Sequence, residues 1–420
     1  IVSADGVYGF IEHCATLAPD ARIEYIGKNS DYTPVTVTMG GGFSLGSWGN
    51  FSVLANNKPW MVKSDGTPDY ELLETDYTKK AVDGTTASDV TNTSYNGGAF
   101  SWICKVWKNE YMVGDDRYVL FSETKKEGFE PIGFIDSSNN ELEGVWLPMF
   151  YNTNGTTKAT CIGTGQPEYS NTTANQKTAI DAFGTRAKFL GGAIVETLQD
   201  LLIMWAKTTD VQTAYGKGNC SGYVNDGTVY YGVLANAVVG GGQFYGTSDG
   251  TSLNKILHSI VLGTYQQWMR DPYTISVSGA LKVSKNYAYD LGASGYTDTG
   301  INYDEVGDTS WHYPHKYKTV AGFGAVPSLP PYNGSTTLGG CDGFIVNAGI
   351  TAVAIRFGNC NNGLNDGVRA LNLNNAATNA NWNIGSACFS IIMEYQPNGS
   401  PSPTPLTDEK PFTRHYWKDE

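Results

Sequence analysis

The sequence predicts an α+β protein with a β-rich N-terminal domain, a mixed second domain and a non-globular tail. Three observations carry this reading. Short apolar runs alternating with polar residues recur from residue 21 to about 134, the mark of half-buried strands. Two stretches in the middle of the chain, 173–189 and 193–207, change to helical apolar spacing. Near the end, a Pro/Ser run at 397–405 cannot build a core and leads into a charged, aromatic terminus. The expected divisions are 1–135, 136–396 and 397–420.

In the first division, residues 23–26, 35–39, 60–62 and 118–121 read as strands. Asp83-Gly84, residues 96–98 and residues 114–116 read as the turns between such strands. A further strand is expected within 143–151. The first helical stretch presents Ile180, Phe183 and Ala187. The second is stronger, with Val195, Leu198, Leu201, Leu202, Met204 and Trp205 on a broad apolar face, and Thr209, Thr213 and Gly216 are expected to end it. Residues 253–268 fit helix or strand, 275–283 alternate as a strand, and 297–318 read as a long polar and aromatic surface loop.

Composition narrows the function classes. Hydrophobic residues make up 40% of 420, enough for substantial cores, so wholesale disorder is excluded. Charged residues are only 16%, with 50 Gly, 26 Tyr and 10 Trp, a profile of many turns and aromatic packing that suits extracellular or virion-surface proteins. A net charge of −13 argues against a nucleic-acid partner, because phosphate binding needs a basic face. No apolar run reaches the roughly 20 residues that cross a bilayer, so membrane insertion is not expected. The chain opens at Ile1 with no methionine or signal-like segment, which fits a mature form or a fragment.

The seven cysteines (Cys14, Cys104, Cys161, Cys220, Cys341, Cys360, Cys388) are scattered and form no C-x-x-C pair, so buried free thiols are expected. Sequons at Asn50, Asn92, Asn154, Asn171, Asn219, Asn333 and Asn398 matter only where the source glycosylates. Gly-x-Ser-x-Gly occurs at 42–46 and 246–250, but neither match sits between a strand and a helix as a nucleophile elbow requires. His312 and His315 follow Asp304, Glu305 and Asp308, yet they lack helical spacing and flank Pro314. Neither a metal nor a cofactor is expected.

The stretch that stands apart is 357–385, crowded with Asn and Gly between aliphatic runs at 350–355 and 389–392. Asn and Gly favour turns, so a long segment of them between buried strands reads as a surface carried on a rigid frame. Residues 353–376 (VAIRFGNCNNGLNDGVRALNLNNA) and the closing Asn381-Trp-Asn-Ile-Gly385 are similar to the variable segment and fixed end of the variable proteins of diversity-generating retroelements. Gly339-Gly-Cys-Asp-Gly-Phe344 resembles the core of that fold more loosely. The similarity runs in outline over 140–395; its specific motif spans about 30 residues.

The resemblance implies a C-type lectin-like domain in the second division and a receptor-binding or display role, many such proteins coming from bacterial viruses. It implies that Asn codons are rewritten by unfaithful copying of template adenines, and that Trp382 is fixed. The implied contact residues are Phe357, Asn359, Cys360, Asn361, Asn362, Leu364, Asn365, Asp366, Arg369, Asn372 and Asn374. Asp366 and its Asn neighbours could ligate calcium, but residues free to vary make poor permanent ligands, so no metal is assigned. The expected function is non-enzymatic host attachment at a virion surface, such as a tail fibre or tip. Its partners would be a host cell-surface receptor, protein or glycan, and other virion proteins; a homotrimer is the assembly that analogy with viral tips suggests. The alternatives are a structural or decoration protein of the virion, or a polysaccharide depolymerase on the same frame.

Overall fold

The computed structural model describes residues 6–225, 230–231, 234–303, 310–328 and 333–392. The tail at 397–420 and the acidic residues Asp304, Glu305 and Asp308 lie outside the described residues. The protein is 34% strand and 11% helix, arranged in several sheets. No described helix is long and apolar enough to cross a membrane.

Three sheets organise the fold. The first has four antiparallel strands in the order Ile23–Gly27, Val7–His13, Asp116–Ser122 and Trp107–Val113. The second has seven: Ala187–Phe189, Cys388–Ile392, Gly144–Pro148, Gly97–Cys104, Pro59–Lys63, Pro68–Leu73 and Asp76–Lys80. The third runs Thr297–Asn302, Ala280–Val283, Trp268–Val277, Thr351–Arg356, Leu371–Leu373 and Phe344–Val346, with Ile384–Gly385 pairing in parallel beside Trp268.

The second sheet does not respect the boundary expected at 135. Gly97–Cys104 pairs with Gly144–Pro148, which pairs in turn with Cys388–Ile392. One hydrophobic core holds Trp48, Phe100 and Trp102 together with Trp146, Trp205 and Phe389. Burial on both faces also hides strands from the sequence pattern. Gly97 and Gly98, read as a turn, lie inside a strand that is buried almost throughout. A Cβ on Gly97 would stand 2.1 Å from the Val62 carbonyl oxygen, and one on Gly98 2.7 Å from the Cys161 Cβ. These glycines serve close backbone approach within the sheet.

Several other elements differ from expectation for local reasons. The first helix is Thr173–Phe183, with the Thr172 hydroxyl accepting from the Asn175 N–H at 3.2 Å. Gly184 ends it, and Ala187 belongs to a strand. The second helix, Ala193–Ala206, is buried all round, ends at Lys207 in the left-handed region, and is followed by a short helix, Val211–Tyr215, capped by Asp210. Residues 275–283 are a hairpin of Trp268–Val277 and Ala280–Val283, because Ser278 and Gly279 both take positive φ (50° and 91°). Of 253–268 only Lys255–Ile256 and Trp268 are strand, and of 35–39 only Thr36–Val37. The loop expected at 297–318 includes Thr297–Asn302, an edge strand, and the start of Tyr317–Val320. All seven cysteines are free thiols, and every one but Cys104 is buried.

Candidate binding face

The Asn-rich segment leaves the strand Thr351–Arg356 and returns as Leu371–Leu373, which lies between that strand and Phe344–Val346. It is therefore threaded through the third sheet and is not a free loop on top of it. Phe357 turns the chain with φ 76°, rare for a bulky side chain, and Gly358 follows at 110°. Behind this turn sits the Asp366 carboxylate, 1.7 Å from where a Gly358 Cβ would be, accepting from the Asn359 N–H at 3.1 Å.

Six of the eleven residues expected to make contact are consequently interior: Phe357, Asn359, Cys360, Asp366, Arg369 and Asn372. Each has a structural partner or a place in the core. Asn359 accepts from the Asn361 N–H and donates to Asn362; Asn372 accepts from the Asn374 N–H; Phe357 packs in the main core. Asn361 and Leu364 are exposed, and Asn362, Asn365 and Asn374 are half-exposed. The surface expected of the whole segment is thus confined to its tip.

Arg369 shows why. Its guanidinium donates to both oxygens of Glu12, each at 2.8 Å, and stacks on the Tyr317 ring at 4.4 Å. Glu12 also accepts from Arg22 (2.8 Å) and Arg117 (3.0 Å), and Arg117 reaches Asp200 of the second helix, which in turn holds Lys108 at 2.6 Å. Burial would raise the Glu12 carboxyl, but Arg369, Arg22 and Arg117 outweigh it and hold the group well below the usual carboxylate range. One buried ion cluster thus joins the first sheet, the second helix and the Asn-rich segment.

Around the exposed tip four stretches of chain close a ring. The Tyr223 N–H donates to the Cys360 carbonyl (2.9 Å), and the Tyr223 ring lies 5.0 Å from Trp382. Next to Trp382, Asn383 accepts from the Trp268 N–H, and Trp268 stacks with Trp311 at 6.3 Å. The Tyr313 hydroxyl donates to Asn365 Oδ1 at 2.6 Å, and the Gly363 N–H returns to the Cys220 carbonyl at 2.8 Å. Tyr223, Trp311, Tyr313 and Trp382 are all half-buried, so each ring offers an edge or face outward. Leu364 is 40% exposed and Val224 is 52% exposed, which adds apolar surface to the same face.

Sequence reasoning missed Tyr223, Val224, Trp311 and Tyr313, although the aromatic crowding of 311–317 was a visible signal. Clefts lie elsewhere, among them one of about 350 Å³ beside Ile132, Val283 and Ser284, one of about 710 Å³ beside Val35 and Lys207 and one of about 440 Å³ beside Tyr95 and Lys158. No group of three or more His, Cys, Asp or Glu side chains among the described residues is arranged to hold a metal. Compared with protein-family models and with curated proteins, the chain matches none.

Proposed function

We propose that the chain is a non-enzymatic receptor-binding protein of a virion surface, built on a C-type lectin-like domain and related to the variable proteins of diversity-generating retroelements. In this reading the face formed by 221–224, 311–313, 361–365 and 381–382 contacts a host cell-surface receptor. The observation that carries it is the combination on one face of exposed Asn and Leu side chains with four half-buried aromatic rings, braced from behind by buried ion pairs. Aromatic rings supply contact area at small entropic cost, and amides supply adaptable hydrogen bonds.

The frame supports the same reading. Gly144–Pro148 and Cys388–Ile392 lie side by side, so the segment between them starts and ends on one closed base. Codon changes at Asn361, Asn362, Asn365 and Asn374 would leave that base intact, whereas changes at Asn359 or Asn372 would remove buried hydrogen bonds. The receptor is a protein or glycan, and other virion proteins, or sister subunits in a homotrimer, hold the rest of the chain.

The test is binding of the purified chain to a panel of bacterial cells, with and without joint substitution of Asn361, Leu364, Asn365 and Trp382. The folded variant is expected to lose binding to cells that the parent chain binds. Unchanged binding sinks the reading, and release of reducing ends from cell-surface polysaccharide would replace it with a depolymerase.

A further inference from the structure

In an Asn-Gly step the backbone attacks the preceding side chain readily, because glycine has no Cβ to obstruct the approach. Four such steps lie among the described residues: Asn96-Gly97, Asn154-Gly155, Asn333-Gly334 and Asn362-Gly363. The attacking atom is the glycine nitrogen after it has lost its proton. An N–H held by a carbonyl must first be released, so a hydrogen bond at that atom protects the step.

Three of the four are protected in this way. The Gly97 N–H donates to the Tyr95 carbonyl at 3.0 Å, the Gly334 N–H to the Tyr313 carbonyl at 3.1 Å, and the Gly363 N–H to the Cys220 carbonyl at 2.8 Å. Two of these steps also hold their side chain. Asn96 Oδ1 accepts from the Lys158 ammonium at 2.8 Å, and Asn362 Oδ1 accepts from Asn359. The bond to Cys220 that helps close the ring around the tip therefore also keeps Asn362 an amide.

Asn154-Gly155 differs on each count. The chain is anchored on either side of the step: the Asn154 N–H donates to the Gln166 carbonyl at 2.7 Å, and the Thr156 hydroxyl donates to the Thr153 carbonyl at 2.8 Å. Neither the Asn154 side chain nor the Gly155 N–H has a hydrogen-bond partner among the described residues. Asn154 is half-exposed, and Gly155 is exposed with φ 77°. Nothing stands within 4 Å of where a Gly155 Cβ would be, so the turn leaves room for a ring to close.

We propose that Asn154 is a self-modifying site, which deamidates through its own backbone while the chain is folded. The Gly155 nitrogen gives up its proton and bonds to the Asn154 Cγ. The bond from Cγ to the side-chain nitrogen breaks, and that nitrogen leaves as ammonia with the proton. Water then opens the cyclic imide at either carbonyl, giving aspartate or isoaspartate. One amide and one water become one carboxylic acid and one ammonia, with no oxidant or cofactor. The chain gains a negative charge in the turn that follows Gly144–Pro148, while the Asn-Gly step of the face is kept. The site stands on this turn alone and does not depend on what the face binds.

In the experiment the full chain is held in mildly alkaline buffer at physiological temperature, then digested and mapped by mass spectrometry. A second sample is held in urea. In the folded chain aspartate and isoaspartate are expected at Asn154 about tenfold or more faster than at Asn96, Asn333 or Asn362, because those sites react only when opened. Urea is expected to remove the difference. Asn398-Gly399, outside the described residues, is scored on its own peptide. Asn154→Gln should leave the peptide around Gly155 unmodified. Equal rates at Asn154 and Asn362 in the folded chain overturn the proposal. So does an Asn154 that stays intact in the folded chain, whatever urea does to it.

Discussion

Residues 359–365 and 366–373 are neighbours in one Asn-rich segment, yet different forces hold them. In the first, asparagines bond within three positions of one another: Asn359 to Asn361 and Asn362, with the chain resting on Cys220 and Tyr313. In the second, Arg369 reaches Glu12 across the whole fold, and Leu371–Leu373 is a core strand between two others. At the exposed tip, 361–365, such local bonds can be re-formed with other residues or with water, whereas Asn359 and Cys360 are buried and belong with the frame. A buried ion cluster cannot re-form, because removing one member strands the rest. The segment therefore divides into a part that can change and a part that cannot, with the turn at Phe357 and Gly358 and the Asp366 carboxylate between them.

The largest effect is expected at the fixed part. Arg369→Ala leaves Glu12 short of its strongest partner in the interior and should cost about 3–5 kcal/mol, measured by urea denaturation. Arg369→Lys should recover only part of this, since an ammonium cannot meet both Glu12 oxygens at once. An Arg369→Ala chain as stable as the parent would remove the distinction drawn between the two parts. Gly358→Ala comes next. The new methyl must enter a left-handed backbone against Asp366, and the expected loss is about 1–3 kcal/mol by the same measurement.

The ion cluster also sets a pH dependence. Glu12 is held below its unfolded value, so it favours the folded state above the unfolded carboxylate pKa of roughly 4.3. That contribution is lost as the pH falls from there through the depressed folded value. The stabilisation that Glu12 supplies should therefore be lost on acidification below that range, and the pH profile of Arg369→Ala, whose Glu12 is less depressed, should be shallower there than that of the parent chain. Parallel pH profiles for the two chains would show that Arg369 does not act through Glu12.

Much of the fold could be read from the residues, and the exceptions share a cause. The strands 23–27, 59–63 and 116–122 and both main helices carry clear periodicity because one side of each meets a different environment from the other, or because the run is long. Gly97–Cys104 is buried on both sides, so its alternation vanishes and its glycines mimic a turn. The candidate face was legible only in part for a related reason. Asn and Gly announce turns, but a turn can be buried: Asp366 fills the space beside Gly358, and its carbonyl is held by Gln212, which lies outside any local pattern. Arg369 looked like a surface charge because its partner stands 357 positions earlier.

The smallest effect on stability is expected where the effect on binding is greatest. Asn361 is exposed, Leu364 is 40% exposed, and the half-exposed Asn365 accepts from the Tyr313 hydroxyl through its side chain. Substituting Asn361 by Ser, Asp or Tyr, or Leu364 by Thr, should change stability by no more than about 0.5 kcal/mol. Asn365→Ala should cost slightly more, because the Tyr313 hydroxyl then turns to water. If these positions are the changeable part, cell binding must vary among variants whose unfolding midpoints coincide. If binding instead tracks stability across the set, the tip is only another piece of frame, and the contact surface lies elsewhere on the molecule.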